Sequence, residues 1–491
     1  MTDTSEREPP APATRALVTP PVPTAIDAAP FDDARTAALR SRAIEVLAAN
    51  TRDGYVAPAK GLYIHQHLWD TCFVAIGQRH YDIEAAMRGL RRLVGAQWKN
   101  GMVPHIRFEA GWRHWWDRHV WRSRVNPAAP RSPATGGISQ PPMLAEAVVR
   151  VGEVLGRAER RRWYESMYRP LVEYHLWLHF DRVLDGDRLA VQIHPWETGL
   201  DNSPPLLELL ERARTPLWLD LLARSGADRL ATKLRWDTKY VPADQRSSTL
   251  EALRLYWALA RIRRLRYDTD AALRRGPFAV QDLTVNSILV RANARLRELA
   301  SEIRAPLPAH LLAAMSAHER AMGDLWDDVD GQYYSRDARS GELVKAPSVA
   351  TLMPLYAGCV DRTHATALVQ LLSDPGAFGT PYPVPSVPPG SRWFQPCRYW
   401  QGPTWINVNW LLIDGMRRYG FDDAAEALRR RTLDVVTRHG FFEYYDPISG
   451  TPAGAKGFSW TAALVIDLLA TEARGTAPGS AALRDRPAVA P

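Results

Sequence analysis

Apolar residues recurring every three to four positions limit the possible folds of this chain more than any other feature. Ile83, Met87, Leu90, Val94 and Trp98 fall on one stripe of a helix, as do Leu144, Val148, Val151 and Leu155. Leu250, Leu253, Trp257 and Ala260 repeat the pattern, and Leu464, Ile466, Leu468 and Leu469 belong to a nearly all-apolar last helix starting near Ser459. Strand signals are few and short, chiefly Gln332 to Ser335 and Phe441 to Tyr445. The chain therefore reads as all-α with small β-hairpins. Its connections depart from a plain helical bundle, which would use short ones. Several are long and rich in Trp, His, Pro and Gly. Gathered at one end of a helical barrel, such loops suit a carbohydrate, because sugar C–H faces stack on indoles while hydroxyls need amide and carboxylate partners. The 18 tryptophans alone fit a Trp-rich core equally well. Their placement beside Asp, Glu and Gln in loops favours the cleft.

At 491 residues the chain is long for one ordinary domain but within the range of a single helical toroid. Residues 1–30 are proline-rich, polar and aperiodic, without the apolar core of a secretory signal, and are expected to be a disordered arm. Residues 475–491 read as a similar tail, leaving 31–474 as one folded domain. No run approaches the ~20 apolar residues that span a bilayer, so no membrane association is expected. The three cysteines, Cys72, Cys359 and Cys397, are few, far apart and odd in number. They point to a reducing, cytoplasmic setting and give no zinc spacing. A net charge of +8 raises the question of nucleic acid, but only 6 of the 62 basic residues are lysine and the arginines are spread along the chain. Without clustering, no phosphate-backbone stripe is expected.

Two segments carry the chemistry. His194-Pro195-Trp196-Glu197-Thr198-Gly199-Leu200-Asp201-Asn202-Ser203-Pro204 cannot continue a helix and reads as a turn exposing several polar groups. A carboxylic acid desolvated beside Trp has a raised pKa, which suits Asp201 to protonating a leaving-group oxygen. The alternative is a cap on the following helix. In Gly440-Phe441-Phe442-Glu443-Tyr444-Tyr445-Asp446-Pro447 a short strand runs into a turn, and Glu443 is flanked by aromatics. It is either a catalytic carboxylate or a buried structural one paired with arginine. Two such carboxylates match the pair that glycoside hydrolysis needs. The Asp327-Asp328-Val329-Asp330-Gly331 run lacks the alternation and closing Glu of an EF-hand, and the fifth-position Asp of a terpene-cyclase diphosphate site. It reads as the turn before a hairpin at Gln332-Tyr333-Tyr334. No P-loop, GxSxG or HExxH motif is present, and no metal or cofactor is expected.

The segments HPWETGLDNSP (194–204), YWQGPTWINVNWLL (399–412), FFEYYDPISG (441–450) and FSWTAAL (458–464) resemble motifs of glycoside hydrolase family 63 and its bacterial relatives. Within that group the likeness is to the mannosylglycerate and glucosylglycerate hydrolases. It runs in order from about Tyr63 to Leu469. The resemblance implies an (α/α)6 barrel with long active-site loops, and inverting hydrolysis of a small α-glucoside or α-mannoside. Asp201 would be the acid and Glu443 the base, standing about 6.5–9.5 Å apart to admit a water. It also assigns substrate contacts. Tyr63, Trp69 and Asp70 lie at and after the start of the likeness, with Asp70 either accepting sugar hydroxyls or capping its helix. Gln140 lies in GISQPP, and Trp196 precedes the acid. Tyr399, Trp400, Gly402 and Trp405 would form an aromatic wall with exposed backbone, and Trp460 precedes the last helix. His105 in NGMVPH reads mainly as architecture and only secondarily as a site residue. Two departures bear on the aglycone. Gln401 stands where the family usually has Arg. Arg246 matches a carboxylate-binding Arg of the glycerate-specific relatives, but the Tyr expected six residues on is Ala252. The same motifs leave room for a trehalase- or glucoamylase-like activity, or for a barrel that binds sugar without cleaving it. Oligomeric state is not encoded in any motif.

Overall fold

A computed structural model describes residues 32–475, except 112–114, 214, 218, 220–231 and 233–234. The arm expected over 1–30 and the tail after its first residue lie outside the described residues. Six helices form an inner ring: Leu68–Gln78, Leu144–Gly152, Leu283–Ile303, the short Pro354–Ala357, Ile406–Arg418 and Ser459–Gly475, the last packing back on the first. Each has an outer partner, respectively Ile83–Val94, Arg157–Leu176, Ala309–Ala321, Arg362–Ser373, Asp422–His439 and Asp33–Asn50. Six helical hairpins closed into a ring are an (α/α)6 barrel, as expected.

The sequence dictates which helices go inside. Every residue of Leu68–Gln78 is buried, as a helix contacted on all sides requires, whereas Ile83–Val94 buries only one stripe around Met87, Leu90 and Leu93. The two ends of the ring meet closely. A Cβ on Gly77 would lie 2.2 Å from the Ala463 carbonyl oxygen, so only glycine lets these helices touch. Aspartate and serine caps open several helices: Asp32, Asp82 and Asp282 each accept a backbone N–H, and Ser248 forms a capping box with Glu251.

The expected last helix begins at Ser459, and the two strand signals pair in antiparallel hairpins, Gln332–Tyr333 with Trp326–Asp327 and Phe442–Tyr445 with Pro452–Lys456. The Asp327 carboxylate accepts the backbone N–H groups of Val329 and Asp330, making the acidic run a hairpin turn. One stripe differs from expectation. Thr249–Arg264 buries Leu255, Ala258, Leu259 and Ile262, not Leu250, Leu253, Trp257 and Ala260. This helix packs two ways: Leu255 joins Leu206, Leu209 and Leu210 in a small separate core, while Leu259 and Ile262 belong to the main core, so its buried face is set by both clusters. Trp98 and Leu155 continue their stripes but fall beyond the helix ends. Among the described residues, no helix is long and apolar enough to cross a membrane.

Candidate active site

The inner-helix N-termini bring the site together. Trp69 and Asp70 lie in the first turn of Leu68–Gln78, Trp405 is the N-cap of Ile406–Arg418, and Trp460 is the second residue of the last helix. Trp460 lies 5.3 Å from Trp69 and 5.7 Å from Trp405, ring centroid to centroid. Trp400 and Trp405 stack at 3.8 Å with planes 4° apart. Each ring covers a face of the other and both are almost wholly buried. The pair backs the site rather than presenting two open faces to a sugar, a correction to the expected wall. Gly402 is corrected too. It is buried, a Cβ there would sit 2.3 Å from the Gln395 carbonyl oxygen, and its role is to let two loop strands touch.

The loop at 399–405 joins the two candidate catalytic segments. The Trp400 N–H donates to the Asn202 side chain (3.0 Å), and Thr404 exchanges backbone hydrogen bonds with Tyr445 (2.8 and 3.0 Å). Asp201 precedes Asn202 and Glu443 lies two residues before Tyr445, so one loop holds both carboxylates in register. Gln401, at the position where an arginine was expected, donates to the Asn202 carbonyl at 3.3 Å. It is buried in this seam.

Asp201 accepts a hydrogen bond from the Tyr399 hydroxyl at 2.9 Å. Burial pushes its carboxyl up to about 6, helped by the Glu443 charge and opposed by Tyr399 and Arg246. Tyr399 reaches it from a left-handed backbone (φ 42°), a strained conformation for a bulky residue. The Arg246 guanidinium lies 4.3 Å from the Tyr399 ring centroid. Asp201 does not cap the helix that follows, since Ser203 holds that position.

Glu443 is held differently. Its Oε1 accepts from the Tyr63 hydroxyl (3.1 Å) and Arg246 (3.3 Å), and its Oε2 accepts the Ala455 N–H (2.9 Å). Arg246 also donates to the Tyr63 hydroxyl at 2.7 Å. Glu443 is thus buried against an arginine, as one of its two readings expected, and its charge also raises a second carboxyl, Asp201. Asp70 completes a triad of acids. Burial pushes it up to about 8, with the charges of Glu443 and Asp201 adding to the rise. Its place within the helix, three residues past the His67 N-cap, excludes the capping role. A carboxyl protonated at neutral pH can donate a hydrogen bond as well as accept one, where only accepting was expected.

The remaining expected residues divide. Gln140 is partly buried and its Oε1 has no protein partner, leaving an acceptor for a ligand. Trp196 stands apart, grouped with Trp121 (5.8 Å) and Tyr256 (5.5 Å). His105 packs on Trp121 at 4.4 Å and bonds the Ile138 carbonyl, in keeping with its architectural reading. The 194–204 turn is not exposed. His194, Glu197, Thr198 and Asn202 are buried, because Glu197 forms a bidentate ion pair with Arg182 (2.7 and 2.9 Å). Sequence reasoning missed that pair, and also Gln245, whose backbone carbonyl accepts from Tyr399 N–H (3.2 Å) and the Tyr444 hydroxyl, while its side chain accepts the Gly454 N–H (2.9 Å). Gln245 adjoins Arg246, the one signal that could have drawn attention to it.

A family model described as the mannosylglycerate hydrolase MGH1-like glycoside hydrolase domain matches residues 63–461. A mannosylglycerate hydrolase of Thermus thermophilus is 37% identical over 430 residues, covering 87% of this chain and 99% of that protein. A glucosylglycerate hydrolase of Mycolicibacterium hassiacum is 31% identical over 446 residues, 88% of this chain and 97% of that one. A crystal structure of a family 63 mannosylglycerate hydrolase from Thermus thermophilus with Tris and D-glycerate superposes with a TM-score of 0.79 at 36% identity, covering 87% and 99% of the two chains.

Proposed function

This chain belongs to the mannosylglycerate hydrolase-like glycoside hydrolases, and from that premise we propose that residues 31–474 cleave glucosylglycerate, mannosylglycerate or a similar small α-glycoside with inversion. The observation that carries the reading is a pair of buried carboxyls, Asp201 and Glu443, close enough for the charge of one to raise the other. Asp201 is buried and pushed up to about 6, whereas Glu443 accepts three hydrogen bonds. A raised carboxyl suits the general acid, and a carboxylate held by three donors suits the base. Asp201 passes its proton to the glycosidic oxygen as that bond breaks. Glu443 takes a proton from the water that attacks the anomeric carbon from the opposite face. Asp70 and Gln140 bind sugar hydroxyls, with Trp69, Trp460 and the Trp400–Trp405 pair shaping the subsite. Arg246 supplies the charge for an aglycone carboxylate, and with Ala252 where a phenol was expected it does so alone. The chemistry needs acid, base and water. Cys72, Cys359 and Cys397 are unpaired, which supports a cytoplasmic setting.

Hydrolysis of glucosylglycerate, mannosylglycerate, kojibiose, nigerose, maltose and trehalose, followed by proton NMR, tests the whole reading. Release of the β-anomer from one of the two glycerates is the expected result. An initial α-anomer would refute inversion, and no turnover across the panel would refute the substrate class.

The Tyr399 hydrogen bond favours ionised Asp201, so its removal raises the carboxyl further. A general acid works only while protonated, and kcat/KM falls as pH rises through its pKa. Tyr399→Phe should therefore move the alkaline limb of the kcat/KM profile to higher pH by about one unit, the value of a hydrogen bond to a charged group. An unmoved limb would separate Asp201 from that ionisation.

A further inference from the structure

Five arginines converge on a cavity of ≈ 790 Å³ that shares no lining residue with the hydrolytic site. Arg92, Arg107 and Arg118 are partly buried, and Arg122 and Arg124 are exposed. Two acids, Asp53 and Glu109, also line it, leaving a formal excess of three positive charges. Glu109 is already engaged by the Tyr55 hydroxyl. None of the five guanidiniums forms an ion pair among the described residues, in a protein whose buried arginines elsewhere, such as Arg79, Arg182 and Arg295, are paired with carboxylates.

The unpaired state is built in. Arg107 spends one nitrogen on the Arg92 carbonyl at 2.6 Å, which brings the two like charges together. Arg92 lies over the Tyr55 ring at 5.1 Å. The Nε atoms of both are buried and lack a hydrogen-bond partner. Burying donors and charge without a partner is costly. Arg118 turns one nitrogen to the Gly111 carbonyl and Arg122 one to His119, so each keeps further donors free. A cleft lined by one sign concentrates the opposite ion, the guanidinium fork matches phosphate geometry, and the volume lies in the range of small-molecule sites.

We propose that this cavity binds a small phosphate-bearing ligand, at a site separate from the hydrolytic cleft. The proposal stands whether or not the substrate assignment above holds. Calorimetric titration of the full chain at low ionic strength with inorganic phosphate and with glucose 6-phosphate tests it, with chloride as control. Saturable one-to-one binding is expected for at least one phosphate. Equal affinities would identify the phosphate group alone as the ligand, and tighter binding of the ester a phosphorylated sugar. Arg118→Gln should weaken binding about tenfold through loss of one charge-assisted contact, and the Arg92→Gln/Arg107→Gln double variant more. Arg118 touches neither carboxylate of the hydrolytic site, so its variant keeps full hydrolytic activity and reports on binding without loss of the fold. No saturation by roughly 10 mM, or affinities unchanged in Arg118→Gln, would overturn the proposal.

Discussion

Glu443→Ala should lower kcat by about 10²–10⁴-fold, the usual contribution of a positioned general base, with far less change in KM. Its three donors, Tyr63, Arg246 and the Ala455 N–H, fix the carboxylate in place. The variant removes the carboxylate that accepts from these donors and leaves space. Azide, which attacks without needing a base, should then restore turnover and yield the β-glycosyl azide, readable by NMR. Asp201→Asn should show the complementary pattern. Turnover of the natural glycoside falls by a similar factor, but a glycoside with a dinitrophenolate leaving group, which departs without protonation, is spared. A Glu443→Ala variant rescued to an α-azide, or an Asp201→Asn variant equally crippled on both leaving groups, would overturn the assignment. Retention of most activity by both would show that neither residue does the chemistry.

Legibility from sequence followed the range of the interactions. The last helix was readable because a helix contacted on all sides is largely apolar and 464–469 is nearly so, whereas Leu68–Gln78 buries Asp70, Thr71 and Gln78 among its apolar residues. The stripe on Thr249–Arg264 escapes a local reading because Leu255 answers to Leu206, Leu209 and Leu210, neighbours that no local period can reveal. Asp201 and Glu443 are legible because each sits in a short segment whose aromatic company is itself unusual. Their relation to one another depends on the 399–405 loop, whose bonds to Asn202 and Tyr445 span many residues. Tyr399 was expected as part of a wall and also donates its hydroxyl to Asp201, a reach set by its left-handed backbone. Trp400 and Trp405 were expected to offer faces and instead cover each other.

Breaking the Arg182–Glu197 pair should be the most destabilising single change near the site, costing about 3–5 kcal/mol, because it strands a buried charge. Both side chains are about 3% exposed. Glu197 also accepts the N–H groups of Ser139 (3.1 Å) and Ile193 (2.7 Å), so its carboxylate ties the acid loop to two other segments. Arg182 packs over Trp177 at 4.6 Å. Arg182→Met leaves Glu197 charged and half-satisfied, whereas Glu197→Met leaves Arg182 charged and two backbone donors open. The double variant removes both charges, and a buried pair exchanged for apolar groups of similar size is often tolerated. Its recovery should nevertheless be incomplete, since each stranded backbone N–H still costs about 1–3 kcal/mol. Denaturant unfolding of the three variants gives the ordering: both singles well below the parent, the double between. The double should also lose kcat while keeping its fold, since Asp201 lies four residues beyond Glu197 and its bond to Tyr399 tolerates little drift. Singles as stable as the parent would show that the pair contributes nothing to the fold. A double variant with full stability and full kcat would show that the acid loop is held by the 399–405 seam alone.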